Sequence, residues 1–147
     1  MTSYVSAALR RIVETRANRV CEYCLIHESD TYFGCQVEHI ISEKHGGPTT
    51  AENLAYACTF CNRAKGTDIG AFAASTGEVT RFYNPRLDHW SDHFSLNGVV
   101  LEPRTAIGEA TAKILRFNDA DRIFERQTLE IVDRYPPAEA ADLLKKH

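Results

Sequence analysis

Four of the five cysteines fall into two C-x-x-C pairs, Cys21/Cys24 and Cys58/Cys61. One such pair puts two thiolates where a single cation can bind both, and a second pair completes a four-thiolate tetrahedron. Zinc suits that donor set by geometry and availability, with iron the weaker alternative. Four protein ligands leave no open position, so the role of such a site is structural. Thiols stay reduced in the cytosol, where a paired pattern points to metal rather than to disulfides. The 33 residues between Cys24 and Cys58 exceed those of a simple ribbon, so this segment must fold as a unit. Cys35 is left over and reads as a small buried hydrophobe.

That segment and the second pair contain VEHIISEKHGGPTTAENLAYACTFCNRAKG, residues 37–66. Over residues 20–66 the chain resembles the HNH (ββα-metal) endonucleases. Their pattern is an acidic residue and a histidine on a first strand, an asparagine midway, and a histidine or asparagine opening a helix. Here those positions are Glu38 and His39, Asn53 and Asn62. The flanking cysteines, the Gly46-Gly47 turn and Lys65-Gly66 fit as well. The later stretch NPRLDHWSDHF, residues 84–94, resembles more loosely a C-terminal extension of some prokaryotic members.

The resemblance implies hydrolysis of phosphodiester bonds in DNA. That reaction needs an activated water and a stabilised phosphate and leaving oxygen, and one hard cation serves the last two needs. Glu38 and Asn62 are the implied oxygen ligands, which favours Mg2+ or Mn2+. His39 is the implied general base, since an imidazole accepts a proton at neutral pH. Asn53 would orient His39 or pin the loop. His45, Arg63 and Lys65 are candidate phosphate contacts. Two departures occur, Glu38 for the commoner aspartate and Asn62 for histidine; both are found within the family. The alternative reading is a zinc module that binds nucleic acid or protein without catalysis.

Net charge is −3, so no global basic field draws the chain to phosphate. DNA must then be met through a local patch, mainly at its backbone, and a homodimer or a protein partner would add affinity. No apolar run is long enough to cross a membrane, and the first residues lack a signal-peptide layout, which makes the expected location cytoplasmic.

The elements that must position this chemistry give an α+β fold: a zinc-stapled ββα core, an N-terminal helix, and a C-terminal extension of short strands and helices. The expected divisions are 1–19, 20–66 and 67–147. Residues 3–17 show a helical apolar stripe at Val5, Leu9, Ile12 and Val13, with Ser3 as N-cap. Arg10, Arg11, Arg16 and Arg19 lie on or just beyond it as phosphate candidates. Strands are expected at 36–41 and 54–57, with a helix from Cys61. Residues 67–80 are small and polar and read as a connector. Trp90, His93 and Phe94 read as a satellite core. Two helices follow, 105–117 and 119–135, the second with Phe124, Ile131 and Tyr135 on its apolar face.

Overall fold

A computed structural model describes residues 4–146. Helix α1 spans Ala7–Arg16 and is capped by Ser6, whose hydroxyl accepts from the Leu9 amide. The expected cap, Ser3, lies outside the described residues. Val13 is buried and Leu9 partly so, while Ile12 is exposed.

The central ribbon pairs β1 (Cys35–His39) with β2 (Leu54–Cys58), antiparallel, with Gln36 opposite Ala57 and Glu38 opposite Ala55. Side chains alternate across a strand, so this register sorts the ribbon into two faces. Leu54 and Tyr56 pack with Val5, Val13 and Ala17 around α1, joined by Cys35 and Val37. Ala55 and Ala57 belong instead to the main core. Helix α2 (Thr59–Lys65) follows β2 directly, with Cys58 as its cap residue. The order is therefore strand, loop, strand, helix, as the sequence predicts.

The expected connector is in part a hairpin, β3 (Gly70–Ala73) with β4 (Glu78–Arg81). Its small residues hide the strand period, and much of its outer face is exposed. Trp90–His93 forms the short helix α3 and leads into a second hairpin, β5 (Phe94–Asn97) with β6 (Val100–Pro103). Trp90 and Phe94 are buried, ring centroids 5.2 Å apart, and Phe94 also meets Phe117 at 5.5 Å. Both rings belong to the core that also holds the four cysteines, rather than to the satellite core expected for them. Helix α4 spans Ala106–Ile114, α5 Ala120–Ile131 and α6 Ala141–Leu144.

Helix α5 corrects one expectation. Phe124 and Ile131 are exposed, and the buried residues of this helix are Arg122 and Arg126. Burying a guanidinium requires partners. Arg126 donates to the carbonyls of Val99 (2.8 Å) and Phe117 (2.7 Å). Arg122 reaches the cysteines, as described below. One hydrophobic core runs from Val20 to Ala140, so the extension and the cysteine module share it. Among the described residues no helix is long and apolar enough to cross a membrane.

Candidate active site

The cysteine clip comes first, because it ties both ends of the module. The sulfurs of Cys21, Cys24, Cys58 and Cys61 all lie within 4.8 Å of one another, and all four residues are buried. A zinc tetrahedron with Zn–S of about 2.3 Å has sulfurs roughly 3.8 Å apart. Cys24 and Cys58 are 3.7 Å apart, far beyond a disulfide bond. The Cys24 amide donates to Cys21 Sγ and the Cys61 amide to Cys58 Sγ, so each pair closes a tight turn around its sulfurs. The residues present fit a zinc ion.

Arg122 donates from α5 to Cys24 Sγ at 3.1 Å and Cys58 Sγ at 3.6 Å. Four thiolates around a divalent cation keep a net negative charge, which the guanidinium offsets. Burial alone would pull Arg122 below its ordinary pKa, yet the neighbouring cysteines outweigh this and hold it above. Burial pushes the Cys21 and Cys61 thiols up. Two further clamps hold the first knuckle: Trp90 Nε1 donates to the Tyr23 carbonyl (2.9 Å), and the Tyr135 hydroxyl to the Cys24 carbonyl (2.7 Å). Sequence reading missed Arg122 because nothing in a helix pattern marks a charged residue as the buried one.

Glu38 and Lys65 meet on the face of β1 that α2 covers. Lys65 Nζ donates to Glu38 Oε2 at 3.0 Å and to the His39 carbonyl at 3.1 Å. The Tyr23 hydroxyl donates to Glu38 Oε1 at 2.5 Å. Burial raises the Glu38 pKa above the usual carboxylate range, and Lys65 and Tyr23 offset part of that rise. Two residues back on the same face, Gln36 Oε1 accepts from Asn62 Nδ2 at 2.5 Å. Residues 36 and 38 on the strand are thus tied to 62 and 65 on the helix, which puts Glu38 and Asn62 along one seam. Lys65 is 1% exposed, which corrects its reading as a phosphate contact: it holds Glu38 instead.

His39 follows Glu38 and by alternation belongs to the opposite face. Its Nε2 lies 2.9 Å from Thr49 Oγ1 and 3.2 Å from Glu43 Oε1, and the Thr49 hydroxyl donates to Glu43 at 3.2 Å. This pattern assigns the imidazole proton to Nε2, between two acceptors, and the lone pair to Nδ1. Glu43 and Thr49 were missed in the sequence; an acidic residue four positions past the histidine, before the glycine turn, is the signal that marks Glu43.

Alternation does not keep these groups apart. Among the described residues the sheet has two strands in the order β1-β2, so one edge of β1 faces no described strand. A cleft of about 610 Å³ is lined by residues of both faces, Glu38, His39 and Asn62 among them, together with Gln36, Glu43 and Cys35. Cys35, expected to be a buried hydrophobe, is half-buried in this wall. The donor set fits a hard cation. Each carboxylate oxygen of Glu38 keeps a second lone-pair direction, and with Asn62 Nδ2 bonded to Gln36 the amide oxygen is the group left to offer.

Asn53 pins the loop. Its side chain accepts from the Ile41 amide (3.0 Å) and donates to the carbonyls of Ile41 and Pro48 (2.9 Å each). Gly46 takes φ 89°, and at Gly47 a Cβ would lie 1.7 Å from the Ile41 carbonyl oxygen. The Gly-Gly pair is therefore what lets the loop close on Asn53. His45 and Arg63 are exposed. Of the N-terminal arginines, Arg10 lines the cleft, whereas Arg16 donates to the Ala51 and Leu54 carbonyls and Arg19, beyond α1, pairs with Glu28.

Residues 21–68 match the family model described as HNH endonuclease. This segment is similar to HNH endonucleases. Its boundaries enclose both cysteine pairs, the β1–β2 ribbon and α2, the same ββα unit that places Glu38, His39 and Asn62 on one cleft. An HNH domain is a nuclease unit that works on nucleic acid with divalent metal. No curated protein and no solved structure matches the chain.

Proposed function

We propose that this protein is a metal-dependent endonuclease that hydrolyses phosphodiester bonds in DNA, cutting one strand per encounter. The observation that carries the reading is the shared cleft: a carboxylate, an imidazole and an amide from β1 and α2 line one cavity. Glu38 and Asn62 hold a divalent cation, Mg2+ or Mn2+. Such a cation supplies electrostatic stabilisation of the phosphate and the leaving oxygen. His39 takes the proton of the attacking water at Nδ1, while Thr49 and Glu43 fix the ring from Nε2. Asn53 keeps the loop closed behind it. Lys65 and Tyr23 position Glu38 and favour its charged form. His45 and Arg63 meet backbone phosphate, and the contact with DNA is mainly to its backbone.

One observation favours a second reading, a zinc module that binds without cutting. Both Glu38 oxygens already accept a hydrogen bond from inside the protein, so the carboxylate is stable without a cation. Supercoiled plasmid separates the two. The zinc-loaded protein with added Mg2+ or Mn2+ is expected to convert it to the open circle, and His39→Ala to leave it supercoiled. Intact plasmid with both proteins would favour the binding module.

A further inference from the structure

Two aromatic rings stand outside the core in the turn that leads into β1. Tyr32 is 86% exposed and Phe33 62%. They sit in the Thr31–Gly34 turn, which is anchored to α2 where the Gly34 carbonyl accepts from the Thr59 amide at 3.3 Å. The rings meet edge to face, centroids 5.0 Å apart, and the Arg63 guanidinium lies 5.9 Å from the Phe33 centroid. Arg63 is the neighbour of Asn62, and Phe33 comes three residues before Gln36, which Asn62 contacts. Phe33 is thus two residues from Cys35 and its partner Arg63 one residue from Asn62, both of which line the cleft, while Arg63 itself lines a second pocket with Phe60 and Arg122.

We propose that Tyr32, Phe33 and Arg63 form a stacking platform for unpaired bases of single-stranded DNA entering the cleft. The proposal rests on the nuclease reading for its choice of DNA. Inside a duplex the base faces are closed by their neighbours, and only an unpaired base offers a face to a protein ring. Charge points the same way. A net charge of −3 suits a long track of duplex phosphates poorly. Arg81 is held by Asp88 and Arg86 by Glu22, so neither is available to extend a phosphate track. Arg10 and Lys44 are the cations that line the cleft itself, and a short contact in which stacking supplies much of the affinity and a few cations meet phosphate fits what the surface presents.

Binding is measured on the His39→Ala background, so that the probes survive. The probes are a short fluorescent mixed-sequence DNA strand, the same sequence as duplex, and the same sequence as RNA. The single DNA strand is expected to bind more tightly than the duplex. Tyr32→Ala with Phe33→Ala is expected to weaken single-strand binding about ten-fold while leaving duplex binding unchanged, and Tyr32→Phe to preserve it. A strand carrying 2-aminopurine should change fluorescence on binding, which reports stacking in the unsubstituted platform. Equal weakening on both DNA forms, or no weakening, overturns the proposal. Tighter ring-dependent binding of RNA overturns the assignment to DNA. Plasmid cutting by the unsubstituted protein together with strand binding that ignores the rings refutes the platform alone; absent cutting with ring-dependent strand binding refutes the nuclease reading alone.

Discussion

Lys65 Nζ lies 3.0 Å from Glu38 Oε2, with the two side chains 1% and 5% exposed. An ion pair this deep costs desolvation at both ends, so removing one partner leaves the other charge stranded. Lys65→Met is expected to destabilise the fold by about 3–5 kcal/mol, read by urea denaturation. Adding Glu38→Gln should recover part of the loss, because the stranded carboxylate is gone. If Lys65→Met unfolds at the wild-type urea midpoint, the pair does not hold the seam.

Arg122 predicts a second effect, on metal rather than on catalysis. Its hydrogen bonds to Cys24 and Cys58 orient the thiolates and offset their charge. Outer partners of this kind are worth about 10–100-fold in metal affinity. Arg122→Leu should therefore surrender zinc to a competing chelator at a correspondingly lower chelator concentration. Retention equal to wild type would show that the guanidinium merely fills space.

Gly47 tests the loop. A Cβ there meets the Ile41 carbonyl oxygen at 1.7 Å and the Asn53 amide at 2.7 Å, and backbone cannot swing aside as a flexible side chain can. Gly47→Ala is expected to lower both the melting temperature and the plasmid-cutting rate, since the Asn53 bonds that close the loop behind His39 are lost together. Unchanged cutting would mean that the loop has no part in placing His39.

The shared core makes a prediction about truncation. Trp90, Tyr135 and Arg122 all grip the first cysteine knuckle or its sulfurs from the extension. A fragment of residues 1–66 should fail to show a cooperative melt even with zinc added, although it retains all four cysteines and every candidate catalytic residue. A cooperative melt with full zinc retention would show that the module folds alone.

The ribbon and its chemistry were legible because they are written in rare residue types at short spacing: two C-x-x-C pairs, Glu38-His39, the Gly46-Gly47 turn and Asn62 beside Cys61. The locks on that chemistry were not. Tyr23 and Lys65 stand 15 and 27 residues from Glu38, and no local pattern ties them to it. The β3–β4 hairpin was read as a connector because Gly70, Ala71 and Ala73 carry little hydrophobic period. Helix α5 was turned the wrong way round for a physical reason: thiols and backbone carbonyls make an interior that suits Arg122 and Arg126, leaving Phe124 and Ile131 outside. A hydrophobic pattern has no means of registering a buried site that attracts cations.

The central claim is that Glu38 and Asn62 grip one ion beside His39. Anomalous diffraction from crystals of the zinc-loaded protein soaked in Mn2+ tests it most directly. A manganese peak is expected in the β1–α2 cleft, about 2 Å from an oxygen of Glu38 and from the side-chain oxygen of Asn62. A cleft empty of manganese, with Glu38 still bound to Tyr23 and Lys65 alone, would contradict it.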